Sequence, residues 1–260
     1  MDHRKAILIG LAAFCFAAKS AGAQAQSSSE LPFAPGEELV YKARVGSLGT
    51  GTAVTKVLGP YDLRGEQTWL TQFDYRGKLL LLTIENHTKS WLSLASLGAV
   101  RYEKSEKIPL SSTHREYDFD AAANRWTEMK GDTGQMITKV PLDELSVMYF
   151  VRGLTLPDSS VQTFQRHFMA ARNPIQVRVL RREKVEVPLG AFQSVVVEVR
   201  TPAADSTRKD DIVLIHLSDD KRRLPLRVEK SVKVAGTMVL TLKCISPAAE
   251  PGPLPSAACR

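Results

Sequence analysis

Short runs of alternating apolar and polar residues, interrupted by turn-forming residues every eight to twelve positions, dominate this chain. That rhythm suits antiparallel strands and little else. Val40-Tyr41-Lys42-Ala43-Arg44-Val45 alternates, the Gly-rich stretch Gly46 to Gly51 follows, and Thr52 to Val57 resumes, as a hairpin requires. Gly59-Pro60 reads as a break in the chain before Thr68 to Tyr75. Leu79 to Ile84, apolar but for Thr83, reads either as a strand buried on both faces or as part of a short helix, since periodicity does not separate the two. Further strands are expected at Thr88 to Leu94, Ala99 to Lys104 and Ser112 to Phe119, then through the turn Asp120 to Asn124 into Arg125 to Lys130. The second half repeats the style at Ile175 to Leu180, Glu183 to Val187, Ser194 to Arg200, Asp211 to Leu217, Leu226 to Val234 and Thr237 to Lys243.

One segment departs from this rhythm. In residues 141–153 (PLDELSVMYFVRG), Leu145, Met148 and Val151 recur at helical spacing, with Asp143 as an N-cap candidate and Gly153 as a stop. A short helix near 143–152 is expected, joining two β halves. No Gly-, Pro- or Ser-rich linker separates those halves, so the expectation is a mainly β single domain over residues 31–245. Its strands would form a curved antiparallel sheet, an open barrel or a sandwich.

The two ends read differently. Met1-Asp2-His3-Arg4-Lys5 precedes an apolar run from Ala6 to Ala18, and small residues two apart follow at Ala21, Ala23 and Ala25. A basic start, a short apolar centre and such a site describe a secretory signal over residues 1–25, cut after Ala23 or Ala25. As a helix the apolar run reaches only about 20 Å, short of a membrane's hydrocarbon core. Cys15 follows Phe14 and is followed by further apolar residues, which does not fit a lipidated cysteine. Residues 26–30 form a polar leader and residues 246–260 a Pro/Ala tail, both expected to be poorly ordered. No later segment is apolar for long enough to cross a bilayer as a helix. Together these lead to the expectation of an exported protein.

Removing residues 1–25 takes away Arg4, Lys5 and Lys19 along with Asp2, so the formal charge falls from +7 to +5. Basic and acidic residues alternate along the rest of the chain, without the concentration on one face that a nucleic-acid binder shows. Cys244 and Cys259 remain after cleavage, and an oxidising compartment permits them to pair.

The residues that carry chemistry are scattered. Of His87, His114, His167 and His216, no two lie within five positions and none is near a cysteine, so the close ligand pair of a zinc site is missing. There is no nucleophile elbow and no phosphate loop between a strand and a helix, so the sequence assigns no catalytic residue and no cofactor. The one ordered polar pattern is Asp143, Ser146, Tyr149 and Arg152, each three apart and therefore neighbours on a helix. Two readings are open: a ligand-orienting cluster, or a network that locks the helix onto the sheet, with Arg152 paired to a carboxylate from another strand.

The chain resembles the exported bacterial proteins grouped as domain of unknown function 3108, from about Phe33 to Leu242. Four motifs carry the resemblance. The first is Phe33-x-x-Gly36-Glu37-x-Leu39-x-Tyr41, with Gly51-x-Ala53 after it; the second is Asp143-x-x-Ser146-x-x-Tyr149-x-x-Arg152. The third is Val187-x-Leu189-Gly190-x-Phe192, and the fourth Leu217-Ser218-Asp219-Asp220 followed by Arg223-Leu224-Pro225-Leu226-Arg227. Asn86 stands where that family would carry Asp. The resemblance implies an extracytoplasmic β-rich protein, in the periplasm of a Gram-negative-type envelope, and no assigned activity.

Three classes of function fit these readings. The first is a binding or carrier module holding a lipid or another apolar or amphiphilic envelope molecule. The second is a structural or accessory protein bound to an envelope protein. The third is an enzyme acting on envelope polymers.

Overall fold

The computed structural model describes residues 31–245 except 48, 110, 206, 208 and 233–235. The expected signal, leader and tail, and Cys259, lie outside the described residues. Residues Glu38–Val45 form β1, whose odd positions Leu39, Tyr41, Ala43 and Val45 are buried while Lys42 and Arg44 face solvent. That period of two is the sequence alternation turned into a face. The chain then folds up and down through β2 (Gly49–Leu63), β3 (Glu66–Leu79), β4 (Leu82–Ser93), β5 (Ala99–Ile108), β6 (Ser111–Asp120), β7 (Arg125–Glu128) and β8 (Thr133–Gln135). A long connection carrying the helix α1 (Ser146–Arg152) leads to β9 (Val161–Phe164). A second meander follows: β10 (Ile175–Val187), β11 (Gly190–Thr201), β12 (Asp211–Ser218), β13 (Pro225–Val232) and β14 (Gly236–Ile245).

All fourteen strands belong to one antiparallel sheet, because β14 returns to pair with β1, with Ala43 opposite Leu240. The edges are β8 and β9, so the sheet is open. Both edge strands are only three or four residues long, which limits pairing with other chains. The expected mainly β architecture, an open curved sheet with one short helix, is what forms.

Three details differ from the sequence reading. Gly59-Pro60 does not break the chain: β2 runs through it with a bulge between Leu58 and Tyr61, and Gly59 takes the φ of +120° that the bulge demands. The two strands expected over 175–187 are one, interrupted by a bulge between Val179 and Arg181. Leu79 to Ile84 is neither a buried strand nor a helix. It is the tip of the β3–β4 hairpin, with Leu79 opposite Leu82 and a two-residue turn at Leu80-Leu81. Apolarity alone predicts burial, and here it fails: Leu81 is 94% exposed.

The connection from β8 to β9 (136–160), continued after β9 by residues 165–174, supplies a plug. It contributes Leu142, Phe150, Val151 and Leu156 to the largest core cluster, beside β1 and β10–β14 residues such as Leu39, Val177, Val197, Ile215 and Leu242. Leu145 and Tyr149 pack with Phe33, Val57, Trp69 and Leu92. Met136 and Phe168 complete a third cluster with Tyr102, Tyr117 and Phe119. Arg166 ties the connection to the β4–β5 turn, donating from Nε to the Val140 carbonyl and from Nη2 to those of Ser96 and Leu97. One side of this plug, where α1 meets β11 to β13, leaves a cleft.

Candidate functional site

The helix begins later than the spacing suggested. Leu145 is its N-cap, and Asp143 sits two residues further out. From there Asp143 Oδ1 accepts the backbone N–H groups of Leu145 and Ser146 at 2.8 and 2.9 Å, and its carbonyl accepts from Val147. Ser146 Oγ reciprocates by accepting the Asp143 N–H at 2.7 Å, so two orphan donors of the first turn are satisfied mutually. Ser90 of β4 donates its hydroxyl to Asp143 Oδ2 at 2.5 Å, pinning this end to the sheet. Burial pushes the Asp143 carboxyl up to about 6, although these hydrogen bonds pull the other way.

At the helix's other end Arg152 is almost fully buried. Nη1 and Nη2 donate to the two oxygens of Glu37 at 2.6 and 2.7 Å, a bidentate pair. Nη2 also donates to the Pro32 and Arg222 carbonyls, and Nε to that of Arg223. The guanidinium lies 5.1 Å from the Phe33 ring and 5.7 Å from the Tyr149 ring. Burial by itself would lower the Arg152 pKa; the Glu37 carboxylate outweighs it and raises it. Tyr149 meets Phe33 edge to face at 5.0 Å, and burial raises its phenol.

The structure thus divides the four expected residues between two anchors. Asp143 and Ser146 fasten the helix start to β4, while Tyr149 and Arg152 fasten its end to the segment before β1 and to the β12–β13 turn. Cys244 is buried and disulfide-bonded, its partner lying outside the described residues. Among the described residues no three His, Cys, Asp or Glu side chains are grouped to hold a metal ion.

Between the anchors the helix turns Val147 and Met148 toward a cleft of about 70 Å³ against Val199, Val213 and Ile215. Glu144, His167, Arg172, Thr201, Asp211 and Lys230 complete its lining. The His167 ring is buried, and burial followed by the nearby Arg172 charge push its pKa down to about 3, so it is neutral. Its Nδ1 accepts the Met169 N–H at 3.0 Å, which leaves the proton on Nε2. That buried Nε2 has no hydrogen-bond partner among the described residues. Arg172 donates to the Pro202 carbonyl and pairs with Asp211 and, at 3.5 Å, with Glu144. Burial of Glu144 opposes its ionisation, yet Lys104, Lys230 and Arg172 hold it at about 2.

None of these cleft residues belongs to the polar stripe Asp143, Ser146, Tyr149 and Arg152. A lone histidine and an Arg172 distant from Glu144 in the chain leave no local signature; only the fold brings them together.

Three of the four sequence motifs converge on Arg152: Glu37 and Phe33 from the first, Tyr149 and Arg152 itself from the second, and Arg223 from the fourth. A family profile described as "Protein of unknown function (DUF3108)" matches residues 40–243. The chain belongs to this family. No curated protein matches the DUF3108 chain. Among solved structures it is similar to a crystal structure of a β-barrel-like protein of domain of unknown function DUF1849 from Brucella abortus. That similarity has a TM-score of 0.52 at 10% identity and covers 83% of this chain and 98% of the other, so it bears on the fold alone.

Two predictions follow from the anchors. Arg152→Ala leaves the Glu37 carboxylate buried and unpaired, which should cost about 3–5 kcal/mol and lower the melting temperature sharply. Tyr149→Phe, losing one hydroxyl, should cost only about 1 kcal/mol. Thermal unfolding of both variants checks this, and an Arg152→Ala protein that melts like the parent contradicts the anchoring role.

The second prediction concerns pH. Burial holds the Asp143 carboxyl of the folded protein at about 6, well above the ordinary aspartate range, so the folded state takes up the proton first. Its contribution to stability is full below about pH 4 and is lost as pH rises through 6. The parent-minus-variant stability difference for Asp143→Asn should therefore fall by about 2–3 kcal/mol across that window. Denaturant titrations at stepped pH read it directly; a flat difference overturns the assignment.

Proposed function

We propose that this protein is an exported, non-catalytic binding module that holds an amphiphile in the cleft between α1 and β11 to β13. One observation carries the reading: His167, whose buried imidazole N–H has no acceptor among the described residues, lines a cleft with Val147, Met148, Val199, Val213 and Ile215. A buried donor left unpaired costs about 1–3 kcal/mol, which an incoming oxygen recovers. Lys230 stands on the same lining and makes no ion pair among the described residues, so a second donor is at hand. An anionic, oxygen-bearing head with a thin apolar chain matches both halves. The narrow volume selects a chain or chain end rather than a bulky ring system.

Location in the envelope is supported by the basic–apolar–small pattern of residues 1–25 and by the disulfide at Cys244, since disulfides persist in oxidising compartments. N-terminal sequencing of the protein from a periplasmic extract should begin at Gln24 or Gln26; an intact Met1 contradicts export.

Binding is tested with a fluorescent medium-chain fatty acid. The parent should bind it saturably. Met148→Trp, which fills the cleft, should abolish binding while melting near the parent's temperature, and His167→Phe should weaken binding by about tenfold through loss of the hydrogen bond. Absence of binding by the parent, or equal binding by Met148→Trp, overturns the reading.

A further inference from the structure

Four successive hairpin tips lie side by side at one end of the sheet: β13–β14, β1–β2, β3–β4 and β5–β6. Gly46 N–H donates to the Thr237 carbonyl, Gly49 stands opposite Leu79, and Glu85 opposite Lys107, so each tip adjoins the next. Among the described residues around these tips (42–52, 76–85, 107–115 and 230–239), seven are Lys or Arg and one, Glu85, is acidic. The next tips on either side differ: β7–β8 carries Glu128 and Asp132, and the β11–β12 connection carries Asp205 and Asp210.

Within this basic rim the β3–β4 tip is apolar and unpacked. Leu80, Leu81 and Leu82 are 62%, 94% and 50% exposed, and Ile108 on the neighbouring β5–β6 tip is 47% exposed. A two-residue hairpin turn normally uses Asn or Gly, which are polar or small and tolerate positive φ. Here Leu80 holds a φ of +57°, a costly position for a large side chain. Folding alone gains nothing from placing leucines there. Directly behind the leucines a shallow depression of about 260 Å³ is lined by Thr50, Thr52, Arg76, Lys78 and Thr83. The register puts Thr50 opposite Lys78 and Thr52 opposite Arg76, so hydroxyls and cations share one face. Arg76 reaches Glu85 at 3.3 Å, while Lys78 makes no ion pair among the described residues.

We infer that this rim docks the protein onto an anionic phospholipid surface, with Leu80 and Leu81 entering the acyl boundary and a headgroup phosphate seated between Lys78, Arg76 and the threonines. The charge selects the occupant. A cation-rich rim around exposed leucines complements an anionic bilayer, where juxtamembrane basic residues are attracted and apolar side chains leave water together. The surface is separate from the interior cleft, and the inference stands without that reading.

Co-sedimentation with vesicles tests it, using phosphatidylglycerol with phosphatidylethanolamine against phosphatidylcholine alone. The parent should partition onto the anionic vesicles only, and less at about 1 M than at about 0.1 M salt, where the Debye length is longer. Lys78→Gln should weaken partitioning about fivefold. The double variant Leu80→Ser, Leu81→Ser should weaken it more than about tenfold, while melting no lower than the parent. A Leu81→Trp protein should shift its emission to the blue on adding anionic vesicles. Failure of the parent to partition, or equal partitioning of the leucine variant, overturns the inference. So does self-association in sedimentation that the leucine variant loses without any vesicle binding, which would make the tip a protein contact.

Discussion

Burying a guanidinium inside a β fold is favourable only when its N–H groups find oxygens and its charge finds a partner. Arg152 meets both conditions, and the way it does so fixes the relation between three distant segments. Glu37 lies just before β1, Arg222 and Arg223 belong to the turn between β12 and β13, and Arg152 ends α1. The sheet is open, so no strand pairing joins β8 to β9 and sets how tightly it curls. The anchors of the connection supply that constraint instead: Arg152 at one end, the Asp143–Ser90 bond at the other, and Arg166 at the β4–β5 turn. A sheet of this length would otherwise have many nearly equivalent curvatures. A polar core that demands complete satisfaction selects among them more sharply than apolar packing does.

The strands were legible because their physics is local. β1 alternates from Leu39 to Val45, and β10 to β14 are rich in Val, Ile and Leu, so period and propensity agree. The bulges were not, since Gly59-Pro60 carries the same punctuation whether the chain turns back or a strand merely kinks. The helix stripe was legible as a pattern but not as an arrangement. Spacing three apart places Asp143, Ser146, Tyr149 and Arg152 on neighbouring positions; it does not reveal that Ser90 and Glu37 wait at opposite ends. The Leu79–Leu82 tip misled because hydrophobicity reports a preference for leaving water, and a residue can satisfy that preference outside its own fold.

The interior of the sheet is largely spent on structure. Phe150, Val151 and Leu142 fill it from the connection, and a cleft remains on the side facing β11 to β13. The polar lining of that side is unevenly committed. Arg172 and Glu144 are tied to each other and to Asp211 or Lys104, whereas His167 Nε2 has no acceptor among the described residues. Two adjacent carboxylates show how finely the position matters: burial lifts Asp143 to about 6, and three cations hold Glu144 at about 2. Asp143 faces into the anchor and Glu144 into the cleft, so one residue of chain separates a structural acid from one placed for a ligand's surroundings.

That division runs along the whole of α1. Ser146, Tyr149 and Arg152 are buried and hydrogen-bonded or stacked, and changing them alters the scaffold before it alters anything bound. Val147 and Met148 lie between those positions, are only partly buried, and line the cleft while packing at the margin of the core. A seven-residue helix has too few internal hydrogen bonds to stand alone, so its orientation is set by the anchored face and its lining face is carried along. The cleft is therefore preorganised by residues that do not line it. Its shape can be altered at Met148 with little effect on the anchors, whereas any loss at Arg152 reaches the cleft through the curvature of the sheet.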